Sequence, residues 1–158
     1  MYIFIMRHGE AESHAASDAQ RALTPRGRQE SRLMAEWLSG QTAGGVAKAL
    51  VSPYLRAQQT WDTVRAVLQV AQPEEVWDSL IPEGNPQPAA DYLTALAADG
   101  VPSVLIVSHL PLVGYLVADL CPGTVPPMFA TSGVACIELD VDTGHGKLLQ
   151  IIQPANLL

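Results

Sequence analysis

The chain alternates between two patterns of apolar residues. Short, continuous apolar runs predict buried strands, and longer segments with apolar residues at every third or fourth position predict helices. The predicted strands span 2–6, 47–51, 75–80, 103–107, 133–139 and 147–152. The predicted helices begin at Pro25, Pro53, Ala89 and Pro111 and end near Gly40, Leu68, Asp99 and Cys121. This order indicates an α/β fold, a three-layer αβα sandwich with a mostly parallel central sheet.

Three of the predicted strands are followed by an arginine or a histidine. Arg7 and His8 follow the first strand, and His109 follows the strand at 103–107. Arg56 comes after the second strand, in the first turn of a helix that Ser52 and a proline are predicted to cap. The carboxyl ends of parallel strands open onto the crevice where α/β proteins bind ligands. We therefore expect these four side chains to converge on one edge of the sheet.

Length and charge narrow the class of ligand. The 158 residues fit one domain, 1–158, and 48% hydrophobic residues supply a sizeable core. The formal net charge of -7 argues against a nucleic-acid partner, because such binding depends on clustered lysine and arginine. Cations that converge on one edge of an acidic protein favour a small or tightly defined anion as the ligand.

Other composition signals point to a protein without a metal, a cofactor or a membrane segment. No carboxylates are spaced for a metal, and no phosphate-binding G-K-S/T motif occurs. No apolar run approaches the ~20 residues needed to cross a bilayer, and the N-terminus lacks the pattern of a signal peptide. Cys121 and Cys136 form no CxxC motif, so we expect buried free thiols in a reducing compartment, the cytoplasm.

The chemistry of the four residues fits a tetrahedral phosphoryl group. Guanidinium groups bind phosphoryl oxygens with two parallel hydrogen bonds, and phosphoryl transfer needs mainly positioning and charge neutralisation. His8 is the candidate nucleophile, with Arg7 and Arg56 as the clamp. His109 is expected to donate a hydrogen bond to a phosphoryl oxygen and to stabilise the transition state.

Two further residues are expected to contact the substrate. Gly9 lets the backbone turn sharply or approach a ligand closely. The Ser52 hydroxyl is either a helix cap or a group that reaches the phosphate. We include both residues with Arg7, Arg56 and His109 as the predicted substrate contacts.

Three segments resemble the histidine phosphatase superfamily, the phosphoglycerate mutase-like or RHG group. They are Met6–Ala11 (MRHGEA), Val51–Thr60 (VSPYLRAQQT) and Val107–Pro111 (VSHLP). The resemblance spans nearly the whole chain and implies a phosphoglycerate mutase-like fold. It also implies that His8 is transiently phosphorylated while Arg7, Arg56 and His109 form the phosphate pocket.

The short chain and the segment at 109–116 resemble, more narrowly, the SixA-type phosphohistidine phosphatases. In that segment His-Leu-Pro stands where other members of the superfamily carry His-Gly-Gly. This resemblance implies a metal-independent protein-histidine phosphatase of two-component signalling. Its expected partner is the phosphorylated histidine phosphotransfer domain of a sensor kinase in a bacterial phosphorelay, and we expect the enzyme to act as a monomer.

The sequence leaves open which residue is the general acid and which substrate the protein acts on. Glu83 occupies roughly the place of the acid that ester-cleaving members carry, and Asp18 and Glu10 are further candidates, but a phosphoramidate needs none. One alternative function is therefore hydrolysis of small phosphate monoesters. Another is a noncatalytic phosphoprotein-binding module, against which an intact His8 counts. Between Arg56 and His109 no insertion is long enough for a lid, so we expect an open site.

Overall fold

A computed structural model of the chain describes all 158 residues. Six strands form its central sheet, and two further strands of two residues each pair beside it. The eight strands are β1 (Tyr2–Arg7), β2 (Gly45–Val46), β3 (Lys48–Val51), β4 (Gln69–Val70), β5 (Glu75–Val76), β6 (Ser103–Ser108), β7 (Val134–Leu139) and β8 (Gly146–Ile152). The order in the central sheet is β5-β3-β6-β1-β7-β8, and β2 pairs with β4.

The central sheet is mixed. Four neighbouring strands, β5, β3, β6 and β1, pair in parallel. Only β7 runs in the opposite direction, because it pairs antiparallel with both of its neighbours, β1 and β8. The link from β7 to β8 is a short turn, which can join antiparallel neighbours but is too short for a parallel crossover.

Four α-helices cover the two faces of the sheet, as the pattern of apolar residues predicts. They are α1 (Pro25–Gln41), α2 (Leu55–Arg65), α3 (Gln87–Ala98) and α4 (Leu112–Leu120). The alternating residues of β1 face two separate cores: Ile3 and Ile5 pack with α3 and α4, whereas Phe4 and Met6 pack with α1 and α2. Burial on both faces explains why the parallel strands are continuously apolar. None of these helices combines the length and the apolar character that crossing a membrane requires.

The structure corrects several predicted boundaries. The strand predicted at 75–80 covers only Glu75–Val76, because its one neighbour, β3, ends at Val51. The second helix begins at Leu55, two residues later than predicted, and ends at Arg65. Two short 3₁₀ turns, at Asp18–Gln20 and Pro154–Leu157, and the β2–β4 pair were not predicted.

The start of α1 is held tightly against the segment that follows β1. Thr24 caps the helix as predicted, since its hydroxyl oxygen accepts a hydrogen bond from the Gly27 amide at 3.0 Å. The same hydroxyl donates to the Glu10 carboxylate at 2.7 Å. A methyl group at position 27 would overlap the backbone carbonyl of Glu10. The absence of a side chain at Gly27 therefore sets how closely α1 approaches the segment after β1.

We expect Gly27→Ala to destabilise the protein, because the added methyl group meets backbone atoms that cannot rotate away. The cost should be about 1–3 kcal/mol in the free energy of unfolding, as for other overpacked sites. Gly40→Ala in the same helix is the matched control, since a methyl group there meets no atom within 4 Å. It should stabilise the protein by up to ~1 kcal/mol through helix propensity. Urea unfolding measures both, and equal effects of the two substitutions would contradict this account.

Candidate active site

The structure brings the four predicted residues together at the carboxyl ends of three adjacent parallel strands. Arg7 ends β1, His8 follows it, His109 follows β6, and Arg56 is the second residue of α2, which follows β3. The ring centroids of His8 and His109 are 5.0 Å apart. Arg56 Nε donates to His8 Nε2 at 3.4 Å. His8, Arg56 and His109 are 7%, 3% and 1% exposed, so two imidazoles and a guanidinium share a largely buried position.

The His8 ring is fixed in one tautomer. Its Nδ1 lies 2.7 Å from the carbonyl oxygen of Gly9, and a carbonyl can only accept a hydrogen bond, so Nδ1 carries the proton. This leaves the lone pair of Nε2 directed toward Arg56. The His8 backbone is held as well, because its amide donates to Ser108 O and its carbonyl accepts from the Ser132 amide, both at 3.0 Å.

Burial keeps His8 neutral. Burial and, after it, the positive charges of Arg56, Arg7 and Arg21 together lower the pKa of His8 to about 4, against the opposing effect of the hydrogen bond to Gly9. A neutral imidazole with a free lone pair is the nucleophilic form.

Gly9 is packed against α1 and orients its neighbours. Its amide donates to Thr60 Oγ1 at 2.9 Å, and the Thr60 hydroxyl donates in turn to the Arg56 carbonyl at 2.8 Å. A methyl group at position 9 would lie 2.7 Å from Ser31 Oγ and 2.8 Å from the Gly27 carbonyl oxygen. The absence of a side chain at Gly9 therefore allows α1 to approach closely, and the Gly9 backbone positions His8 and α2.

Arg7 is anchored by a loop far away in the sequence. Its Nη1 donates to the carbonyl of Phe129 at 2.8 Å, whereas its buried Nε has no hydrogen-bond partner. Burial, and then the charge of Arg56, lowers the pKa of Arg7. The sequence gives no indication of Phe129, because every residue has a backbone carbonyl.

Arg56 is held by the 3₁₀ turn at Asp18–Gln20. Its Nη1 donates to the Asp18 carbonyl at 2.6 Å, and its Nη2 lies 3.1 Å from the Asp18 carboxylate. The hydrogen bond from Arg21 and, after it, the interaction with Arg56 hold the pKa of Asp18 below its usual value, although burial opposes this. Asp18 is therefore an anion at neutral pH and a poor proton donor. No lid comes from the segment between Arg56 and His109, but this earlier turn lies against Arg56.

The other two candidates for the general acid have no hydrogen bond to the imidazoles. The Glu10 carboxylate accepts the hydrogen bond from Thr24 at the start of α1. Glu83 is exposed in the loop before α3 and is bonded to none of the four residues. Thus none of the three candidate carboxyl groups hydrogen-bonds to either imidazole.

Ser52 lies next to His109. Its hydroxyl oxygen is 2.7 Å from His109 Nε2 and accepts a hydrogen bond from the Tyr54 amide at 3.2 Å. The Tyr54 ring, which the sequence analysis did not single out, meets the His109 ring edge-on with centroids 5.1 Å apart. It also lies 5.1 Å from the Arg56 guanidinium carbon, so it packs against both.

Burial strongly disfavours the charged form of His109. It lowers the pKa of His109 far below its usual value, and the charges of His8, Arg56 and Arg7 add to this effect. The Nδ1 of its ring is buried without a hydrogen-bond partner, like Arg7 Nε. No three histidine, cysteine, aspartate or glutamate side chains come together in an arrangement that would hold a metal. The site thus combines two arginines with two neutral imidazoles.

Comparisons with known proteins agree with this arrangement. Residues 3–81, which include Arg7, His8 and Arg56, match the histidine phosphatase superfamily (branch 1). The chain belongs to this superfamily. It is 51% identical over 157 residues to phosphohistidine phosphatase SixA of Escherichia coli (strain K12), covering 99% of this chain and 96% of that protein. It is 43% identical over 146 residues to a SixA homolog of Haemophilus influenzae (strain ATCC 51907 / DSM 11121 / KW20 / Rd), covering 89% of each.

A solved structure extends the comparison to the whole fold. The structure of the protein histidine phosphatase SixA complexed with tungstate matches with a TM-score of 0.95 and 51% identity, covering 100% of both chains. The expected phosphoglycerate mutase-like α/β fold is therefore confirmed. So is the expectation that the chain is an enzyme, a hydrolase of the histidine phosphatase superfamily.

We expect the His8 ring to remain neutral at pH 6, because burial and the neighbouring arginines oppose its protonation. An NMR titration of its ring protons, assigned by their loss in His8→Ala, should give a midpoint near pH 4. An unfolded histidine titrates near ~6.5, so the unfolded chain binds more protons between these values and the fold should lose stability as the pH falls through them. A midpoint at the unfolded value would contradict the burial argument.

Proposed function

We propose that this enzyme is a phosphohistidine phosphatase that dephosphorylates the histidine phosphotransfer domain of a sensor kinase through a phosphohistidine intermediate on His8. The observation that carries the proposal is the orientation of His8: its Nδ1 proton is bonded to Gly9, and the Nε2 lone pair lies 3.4 Å from Arg56 Nε. The 51% identity to phosphohistidine phosphatase SixA supports the choice of substrate.

In the first chemical step, His8 Nε2 attacks the phosphorus atom and the bond from phosphorus to the substrate nitrogen breaks. Arg7 and Arg56 bind the phosphoryl oxygens, and His109 donates a hydrogen bond to one of them. In the second step, water attacks the phosphorus and the bond from phosphorus to His8 Nε2 breaks. Inorganic phosphate leaves with the protons of that water, and the electron pair of the broken bond returns to Nε2. Tungstate, a tetrahedral oxyanion like phosphate, is present in the related SixA structure and supports an oxyanion site in this fold.

The substrate class fits the positions of the three candidate acids. A phosphohistidine whose other ring nitrogen carries a proton releases a neutral imidazole, whose conjugate acid has a pKa of ~6.5. Such a leaving group needs no proton from the enzyme, whereas an alkoxide does. The ionised Asp18, the bonded Glu10 and the exposed Glu83 therefore favour a phosphoramidate over a monoester.

The surroundings of the site favour a protein partner. Between His109 and Glu138 the only charged side chain is Asp119, although the whole chain has a net charge of -7. Tyr115 and Met128 are exposed, and Met128 precedes the Phe129 carbonyl that anchors Arg7. On this side of the site, an uncharged and partly apolar surface suits docking of a folded domain better than recognition of a small, charged metabolite. We place this reaction in a two-component phosphorelay of the cytoplasm, with the enzyme as a monomer.

The decisive experiment compares substrates. We expect turnover of a phosphorylated histidine phosphotransfer domain with a kcat/KM well above that for p-nitrophenyl phosphate or 3-phosphoglycerate. Activity should survive EDTA, because the arginines supply the positive charge. Glu83→Gln should leave turnover of the protein substrate unchanged. If a monoester were turned over efficiently and Glu83→Gln abolished that activity, the enzyme would instead be a phosphatase of small phosphate monoesters.

The intermediate can be trapped on the same substrate. Rapid quenching and mass spectrometry should find phosphate on His8, labile to acid and stable to alkali, and His8→Ala should abolish turnover. Binding of the phosphoprotein without turnover would indicate the noncatalytic module instead. Phosphate on another residue would overturn the assignment of the nucleophile.

Arg56→Lys should reduce kcat/KM by roughly 10²-fold or more, on the scale of losing one transition-state donor. Lysine keeps the charge but lacks the planar fork that can bind phosphoryl oxygens and Asp18 at the same time. Arg65→Lys is the matched control, because Arg65 ends the same helix with its side chain 52% exposed. Steady-state kinetics on the phosphoprotein measures both. If both variants kept near-wild-type activity, Arg56 would be a structural residue at the start of the helix that does not bind the phosphoryl group.

A further inference from the structure

The hydrogen bonds of Ser52 determine where its own proton goes. The side chain is fully buried, and its oxygen has two partners, the Tyr54 amide at 3.2 Å and His109 Nε2 at 2.7 Å. A backbone amide can only donate, so the Ser52 oxygen accepts from Tyr54. The hydroxyl proton then has one acceptor within reach, the lone pair of His109 Nε2.

The alternative tautomer leaves two buried groups unsatisfied. If His109 carried its proton on Nε2, the Ser52 hydroxyl proton would have no acceptor, and Nδ1 would be a buried lone pair without a donor. An unsatisfied buried group costs about 1–3 kcal/mol. With the proton on Nδ1, both hydrogen-bonding positions of Ser52 are used, and the single unpartnered group is the Nδ1–H.

The tautomer matters because His109 is neutral. A neutral imidazole has one N–H group, and the nitrogen that carries it decides whether the ring attracts or repels an anion. The His109 ring lies 5.0 Å from the His8 ring, centroid to centroid, with Nε2 occupied by Ser52. The free nitrogen is therefore Nδ1, and only a proton there makes His109 a donor to a phosphoryl oxygen.

We propose that Ser52 is a positioning residue that holds His109 in the tautomer with the proton on Nδ1. This changes the role expected from the sequence, in which Ser52 contacts the phosphate directly. Ser52 acts on the phosphoryl group through His109, and its hydroxyl has no free hydrogen to offer the substrate. The effect on turnover rests on the proposed function, whereas the tautomer is a property of the free protein.

The first test reads the tautomer directly. In protein labelled with nitrogen-15 at histidine, long-range proton–nitrogen NMR spectra of the free wild type should show His109 protonated at Nδ1 and unprotonated at Nε2. A proton on Nε2 would overturn the proposal without any variant. In Ser52→Ala we expect a mixture of the two tautomers, since the hydroxyl that selects one of them is gone.

The second test compares two buried hydroxyls. Ser108→Ala is the matched control: Ser108 is also fully buried at the end of a parallel strand, but its hydroxyl donates to the Leu80 carbonyl at 2.8 Å. We expect Ser52→Ala to weaken tungstate binding and to lower kcat for the phosphoprotein, each by about tenfold or more. Ser108→Ala should leave the His109 tautomer and tungstate affinity unchanged.

Tungstate binding and the NMR spectrum distinguish the proposal for Ser52 from the proposed function. Equal losses of tungstate affinity in Ser52→Ala and Ser108→Ala would show a merely structural role and overturn the proposal. Tungstate affinity and the NMR spectrum need no turnover, so they test Ser52 even if the phosphoprotein is not a substrate. Failure of the proposed function would instead appear as an inactive wild-type enzyme with the predicted tautomer.

Discussion

The hydrogen bond from His8 Nδ1 to the Gly9 carbonyl uses the one proton that a neutral imidazole has. Because the proton is used there, the lone pair of Nε2 has to face Arg56. The bond depends on the path of the backbone at Gly9, which Thr60 and the tight approach of α1 maintain. The packing of two helices on one face of the sheet thus sets the direction of a lone pair, which links the apolar core to the chemistry.

The site also depends on keeping its charges in place. Arginine stays protonated even when buried, whereas burial makes the two histidines neutral. The site therefore holds two permanent cations, Arg7 and Arg56. Beside them are two neutral imidazoles, which act through a lone pair and an N–H group. Asp18 holds the guanidinium of Arg56, and the Phe129 carbonyl holds that of Arg7. The Ser52 hydroxyl holds the His109 ring in the same way. Each group at the centre of the site therefore has a partner that orients it.

The boundaries that differed from prediction have local causes. The helix predicted at Pro53 begins at Leu55, because the backbone of Tyr54 is extended, with φ -66° and ψ 142°, and Tyr54 is the N-cap. The strand predicted at 75–80 stops at Val76, because pairing partners and not apolar residues limit an edge strand. Neither the extended backbone at Tyr54 nor the end of the partner strand can be read from the pattern of apolar residues.

The sequence by itself determined the α/β fold and the convergence of Arg7, His8, Arg56 and His109. Continuous apolar strands bury both faces of a parallel sheet, and parallel strands bring their carboxyl ends to one edge. Only the tertiary structure decided the tautomer of His109 and the partners of the arginines. Those contacts join residues 38, 57 and 122 positions apart, at Asp18, Ser52 and Phe129. Two of the three involve backbone carbonyls, which every residue has. All three join segments that lie far apart in the sequence, and no repeating pattern of residues relates those segments to each other.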